Sequence, residues 1–232
     1  MRTIDATQGV RILDSRSTAS LLSKVLWITT AGFLFTAVGA YVAPALMGGI
    51  SYMGLFILTF GLIFAISFAS KRSPGLALVL FYAFTLLMGV EIGPLLKAYL
   101  HVPGGEMVVF DAALTTALGM FAMAMIAQIV HFDYRRVYNY AFAALIGLIV
   151  IGVLGMFVHF VSPGLYAWAT LAIFSVLLLV DFMRLRDGAQ GLSPVQMALS
   201  IYLDALNIFI ALLQIFGSSN GNGGGRSSSR WS

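Results

Sequence analysis

The sequence predicts an all-α integral membrane protein with seven transmembrane helices. Three observations carry that reading: 60% of the 232 residues are apolar while only 9% are charged, the apolar residues gather into seven long runs, and basic residues alternate between successive loops. A soluble domain holds about 25% charged residues, so this chain lacks the polar surface that water demands. A helix needs about 20 apolar residues to cross a bilayer, and the composition supplies roughly seven such spans. No period-two alternation runs through the segments, and they are about twice the length of a barrel strand, which leaves helices.

Residues 1–24 are polar and mildly basic, with Arg2, Arg11, Arg16 and Lys24. They are too charged for a cleavable signal peptide and read as a cytoplasmic arm. Residues 25–216 form the transmembrane domain. Its segments are Val25 to Leu46, Ile50 to Ser70, Leu76 to Leu100, Met107 to Val130, Tyr138 to Phe160, Leu165 to Met183 and Val195 to Phe216. Residues 217–232, rich in Gly, Ser and Asn, are too poor in apolar side chains to pack and are expected to be disordered.

Cytoplasmic loops carry an excess of Lys and Arg. Lys71 and Arg72 follow segment two, Arg135 and Arg136 follow segment four, and Arg184 and Arg186 follow segment six. The loops around Met47, Pro103 and Pro163 carry none. The N-terminus is therefore expected inside and the C-terminus outside. Lys97, near the outer end of segment three, can snorkel to the headgroups.

Composition also removes function classes. Without Cys there is no disulfide framework, thiolate metal site or Cys nucleophile, and the three His residues form no metal-binding pair. The net charge of +4 includes no basic run interleaved with aromatics, so nucleic acid is not an expected partner. There is no His-Glu-x-x-His and no Gly-x-Ser-x-Gly. Two aspartates on adjacent helices formally resemble an aspartyl protease, but the Gly-x-Gly-Asp context is replaced by Ile-Tyr-Leu-Asp at residues 201–204. No catalytic residue and no cofactor are expected.

An ionisable residue near the centre of a span costs at least about 2.5 kcal/mol, so each one needs a reason. Three lie within spans: Glu91, Asp181 and Asp204. Gln196, Ser200, Asp204, Asn207, Ala211 and Gln214 recur at helical spacing on one face of segment seven. A polar stripe cannot face lipid. Ser200, Asn207 and Gln214 either support a polar path or hydrogen-bond neighbouring helices as structural glue. Asp204 exceeds that structural need, since an amide would bond as well without the ionisation cost.

Asp181, in LLLVDFMRLRDG, has two readings. One is an ion pair with Arg184 one turn further on. The other pairs it with Asp204 across neighbouring antiparallel helices. Two carboxylates in contact cannot both ionise cheaply, so such a pair shares a proton, titrates as a unit and acts as a pH switch. At 1.5 Å per residue, Asp204 lies about 14 Å in from Val195 and Asp181 about 3 Å from Met183, so contact requires a shifted boundary, a tilt or a break. Glu91 precedes Pro94 in GVEIGPLL and reads either as a cation or proton contact in the outer half of the membrane or as a hydrogen bond that satisfies the kink at the proline. Asp111, Asp133 and Asp187 read as solvated, and His101, His131 and His159 as headgroup contacts at segment ends.

The stretch ALSIYLDALNIFIALLQIFG, residues 198–217, closely resembles the last helix of the Bax inhibitor motif family, with its Ser-x-Tyr-Leu-Asp-x-x-Asn pattern. Asp181 matches that family's acid in the sixth helix, and Gly89 to Pro94 is similar to its third-helix motif. The resemblance runs from about Ser20 to Gly217. It implies a seven-helix fold with the last helix central and surrounded by the other six, in a multi-pass protein of a bacterial inner membrane. It implies a pH-sensitive calcium leak, with Asp181 and Asp204 as sensor and gate and as the tentative calcium contacts, and with calcium and protons as the moving ions. It also offers a non-conducting alternative, since a bacterial relative modulates a membrane-bound AAA protease and eukaryotic relatives suppress cell death. Family members latch the aspartates with an arginine near the end of the second helix; here Lys71 or Arg72 would have to reach inward, with Arg184 a further candidate. Two carboxylates do not select an ion alone, but oxygen ligands favour hard calcium over a soft metal. Proton-coupled transport would need a substrate cavity and an internal repeat, and the sequence displays neither.

Overall fold

The computed structural model describes residues 6–46, 52–155 and 161–223, with side chains over 19–43, 53–155 and 161–219. Arg2, the loop around Met47, His159, the tail beyond Gly223 and the side chains of Arg11 and Arg16 lie outside the described residues. Seven α-helices follow one another: α1 (Ala6–Leu46), α2 (Tyr52–Ala69), α3 (Pro74–Leu100), α4 (Gly105–Ile129), α5 (Tyr134–Gly155), α6 (Pro163–Arg186) and α7 (Pro194–Gly223). A short 3-10 turn, Ala189–Gly191, precedes α7, and the described residues contain no strand. Six of the helices are long and apolar enough to cross a membrane, while the apolar stretch Met53–Ala69 of α2 is shorter. The chain is a helical membrane protein.

Helix starts follow a local rule. Each of the three Ser-Pro dipeptides in the sequence opens a helix: Ser73-Pro74 α3, Ser162-Pro163 α6 and Ser193-Pro194 α7. Pro fits the first helical position because its missing N–H would lack an intrahelical partner there anyway, and the serine oxygen accepts an orphan backbone N–H. The Leu76 N–H donates to Ser73 Oγ at 3.4 Å, Leu165 N–H to Ser162 Oγ at 3.3 Å and Gln196 N–H to Ser193 Oγ at 3.2 Å. Gln196 returns the favour, its Oε1 accepting the Ser193 N–H at 3.0 Å, which completes a capping box. The α4 start differs: Gly104 sits at φ 78°, a left-handed conformation suited to glycine.

Helices extend beyond the apolar runs at both ends. The polar stretch before Val25 is helical from Ala6, making α1 41 residues long; it contains no proline and only one glycine after Ala6, so nothing interrupts a helix. At the other end α7 runs through Gly217 to Gly223 rather than stopping at Phe216. The contact there is steric: Gly217 lies against the Tyr99 ring so closely that a Cβ would strike it. Ser218 Oγ also donates to the Ile215 carbonyl at 2.9 Å.

The chain divides into two compact units. The first joins the residues up to Pro94 to Asp181–Tyr202. Its centre is a close approach of α1 and α3. A Cβ on Gly39 would collide with the Leu86 carbonyl, and one on Gly89 with the Thr36 carbonyl, so glycines let the two backbones touch. Small residues at crossings are how membrane helices gain packing where lipid withholds the hydrophobic drive. Within this unit Phe81, Phe84, Ile66, Met183 and Met197 are fully buried. On α2 the opposite pattern holds: Phe56, Phe60, Phe64 and Phe68 form an exposed stripe at four-residue spacing, a face suited to lipid.

The second unit joins Leu95–Val180 to the residues from Leu203 onward. Ala167, Leu178, Ala205 and Leu213 form part of its buried core. The span windows of α4 and α5 are each only 11% buried, against 56% for α7.

Replacing Gly89 by Leu is expected to abolish recovery of folded protein, seen as loss of the monodisperse peak in detergent gel filtration. Gly61→Ala, where a Cβ meets nothing within 4 Å, is expected to leave that peak and the thermal midpoint intact.

Candidate functional site

Asp181 lies on α6 and is 1% exposed. Because α6 continues past Met183 to Arg186, Asp181 lies five residues, or about 7.5 Å, from the helix end. Arg184 Nη1 donates to Asp181 Oδ1 at 3.1 Å in an i,i+3 ion pair. The Ser200 hydroxyl of α7 donates to the same carboxyl group. The cation beside Asp181 thus comes from its own helix. Asp204 is 6% exposed on α7, ten residues beyond Pro194.

Lys71 and Arg72 lie exposed in the turn after α2. The Arg72 guanidinium sits 4.6 Å above the Phe68 ring, a cation–π contact that holds it against an exposed side chain. Glu91 is half-buried on α3, and Thr59 Oγ1 of α2 donates to its Oε1 at 2.7 Å. Thr59 is 4% exposed. The partner of Glu91 is therefore a hydroxyl from a neighbouring helix rather than a group freed by Pro94.

The polar stripe of α7 divides into separate tasks. Gln196 caps the helix, and Ser200 serves Asp181. Asn207 Nδ2 donates to the Leu203 carbonyl of its own helix at 2.8 Å. Asn207, Ala211 and Gln214 line a cavity of about 140 Å³, faced by Tyr166, Thr170 and Phe174 of α6 and by Leu148 of α5. A space of that size with amide and hydroxyl groups in its wall suits several waters. Tyr166 Oη reaches the Leu148 carbonyl at 3.4 Å and Thr170 Oγ1 donates to the Tyr166 carbonyl at 2.8 Å, so both hydroxyls are already engaged with backbone.

One buried polar centre carries no formal charge. Tyr202 is fully buried, and its hydroxyl lies 2.6 Å from Thr36 Oγ1. Thr36 Oγ1 also lies 3.0 Å from the carbonyls of Gly32 and Thr85. Carbonyls only accept, so the Thr36 proton is turned to them and Tyr202 donates to Thr36. The rings of Phe33, Phe81 and Phe84 surround Tyr202 at centroid distances of 5.0, 5.8 and 6.1 Å. The tyrosine stands two residues before Asp204 in the motif quoted above, where spacing places it off the polar stripe.

Among the described residues no group of three or more His, Cys, Asp or Glu side chains is arranged to hold a metal ion. Asp111 is exposed, Asp133 pairs with Arg136 at 3.3 Å and Asp187 with Arg186 at 2.8 Å. His101 and His131 are exposed, their Nδ1 atoms 2.7 and 2.9 Å from the carbonyls of Lys97 and Ile129.

Residues 18–221 match the family model described as inhibitor of apoptosis-promoting Bax1. An uncharacterized membrane protein of Vibrio cholerae is 30% identical over 209 residues, which cover 89% of this chain and 90% of the relative. An uncharacterized protein of Campylobacter jejuni is 27% identical over 206 residues, covering 86% of this chain and 88% of the relative. An uncharacterized membrane protein of Streptococcus pyogenes is 31% identical over 177 residues, 73% and 75% of the two chains.

Tyr202→Phe removes the donor that Thr36 accepts and is expected to cost about 1 to 2 kcal/mol. A lowered midpoint of thermal unfolding in detergent checks this, with Tyr140→Phe, at a 77% exposed position, leaving the midpoint unchanged.

Proposed function

Because the chain belongs to the Bax inhibitor family, as its match over residues 18–221 shows, we propose that it is a passive calcium leak regulated by protons. In this reading Asp181 and Asp204 share a proton and gate the path, with α7 as the central helix of seven that cross the membrane. The observation that carries it is the near-complete burial of two carboxylates, one on each of two consecutive helices, where Glu91 is only half-buried and the other acids of the described residues are exposed. Neither acid is open to bulk water, and buried acids in membrane helices mark ion and proton pathways.

The parts have distinct roles. Protonation of the shared site removes one charge from the interior and changes the attraction for Arg184, which holds Asp181 at 3.1 Å. Arg184 is therefore the latch favoured by geometry, ahead of Lys71 and Arg72, which are exposed. Gln214 and Asn207 supply wall oxygens to the cavity between α5, α6 and α7, along which a hydrated cation exchanges water for amide oxygen. Glu91, bonded to Thr59, is a further cation contact on the outer half of the path. The basic loops favour an N-terminus in the cytoplasm, and the bacterial relatives favour the inner membrane of a bacterium.

A second reading, a non-conducting regulator of a membrane-bound protease or another stress-response partner, is favoured by one feature. The polar arm is continuous with α1 from Ala6, and a helix of that kind offers a docking element.

Purified protein in liposomes is expected to release trapped calcium at a rate that changes across about pH 6 to 8, and Asp204→Asn and Asp181→Asn are each expected to flatten that dependence. Fluorescence of an entrapped calcium indicator reads the rate. Flux no greater than in protein-free liposomes at every pH sinks the leak and leaves the regulator, which deletion of residues 1–16 then tests in cells.

A further inference from the structure

A second concavity lies within the first unit, at the end where α3 and α7 begin. Its volume is about 470 Å³, and its walls include Ser23, Lys24 and Trp27 of α1, Leu78 of α3, and Ser193 and Val195 at the start of α7. Lys24 is the one charged residue among those lining it. Its ammonium makes none of the ion pairs found among the described residues. Trp27, one turn further along α1, is 73% exposed.

The depth of this groove can be read from the chain. Lys24 lies five residues into the first span, Ala19–Ala43, just before the apolar run from Val25, and the walls beyond α1 come from the beginnings of two further spans. The groove therefore opens where hydrocarbon gives way to headgroups. Trp and Lys are the side chains suited to that level, one with an apolar body and a polar edge, the other a flexible stem carrying a cation.

The backbone donors at the starts of α3 and α7 are partly engaged, since Ser73 and Ser193 cap them. The attraction for an anion is thus carried by Lys24. A free inorganic anion would gain nothing from Trp27, Leu78 and Val195, whereas an anion attached to an acyl chain uses both parts.

We propose that this groove binds one anionic phospholipid, its phosphate on the Lys24 ammonium, its hydroxylated headgroup against Ser23 and Ser193, and its first acyl carbons over Trp27, Leu78 and Val195. The site does not depend on whether the protein conducts calcium. It needs only that α1, α3 and α7 lie in a bilayer.

Native mass spectrometry of the full chain, delipidated in dodecyl maltoside and titrated with phosphatidylglycerol or phosphatidylcholine, tests this directly. Phosphatidylglycerol is expected to be retained in preference, and Lys24→Gln to lower the ratio of the two by about fivefold, the effect of one cation near an anionic lipid. Lys24→Arg is expected to keep the ratio. Arg135→Gln, the same charge change at an exposed cation elsewhere, is expected to leave it unchanged. Equal retention of the two lipids by the wild type overturns the proposal, as does a loss in Arg135→Gln as large as in Lys24→Gln. Displacement of the lipid by inorganic phosphate at the same concentration would assign the groove to a free anion and overturn it equally.

Discussion

Hydrocarbon offers no hydrogen bonds, and each polar group that enters it must find a partner within the protein. The helices meet that demand for the backbone, and the hydroxyls meet it by the same means. Thr29, Thr36, Thr116 and Thr170 each donate to the carbonyl four residues back on their own helix. A hydroxyl satisfied in this way can be buried at little cost and remains able to accept. Thr36 does so from Tyr202, which ties α7 to α1 beside the glycine contact that joins α1 to α3. Packing and polar satisfaction are therefore one construction in this unit: the glycines bring backbones close enough for Thr36 to reach the Thr85 carbonyl.

Much of this was legible in the sequence. Seven apolar runs became seven helices because the pattern is long and strongly apolar, and basic loops punctuated it. The starts of α3 and α6 were placed late, at Leu76 and Leu165, because hydropathy weighs side chains and ignores caps. The Ser-Pro dipeptides mark both starts one turn earlier in chemical terms. The last helix extends past Phe216 to Gly223 for a related reason. Low hydropathy argues against a membrane span, but not against a helix, and the polar residues from Ala6 simply continue α1.

The candidate site was legible in its charges and less so in its neutral groups. Asp181, Asp204 and Glu91 are recognisable because an acid in an apolar run is costly. The stripe of α7 was also a true periodicity, yet periodicity identifies a face and cannot say what meets it. Gln196 meets its own cap, Ser200 meets Asp181, and Asn207 bonds its own helix while facing a cavity. Tyr202 escaped notice because a tyrosine in a membrane helix is unremarkable by composition; only its contact with Thr36 distinguishes it. The Thr59 hydroxyl on Glu91 is likewise a meeting of distant residues that no local pattern encodes.

The pairing of Asp181 with Arg184 bears on how this protein is made. Both residues belong to α6 and lie three positions apart, so they are synthesised together and can meet as soon as that stretch coils. A segment with its acid already matched by a cation one turn away presents less net charge to the insertion machinery than either residue would alone. The bond also reaches toward the end of the helix, where the arginine side chain can stay near water while the carboxylate sits deeper. Membrane entry of α6 thus need not wait for α7 to arrive with Ser200.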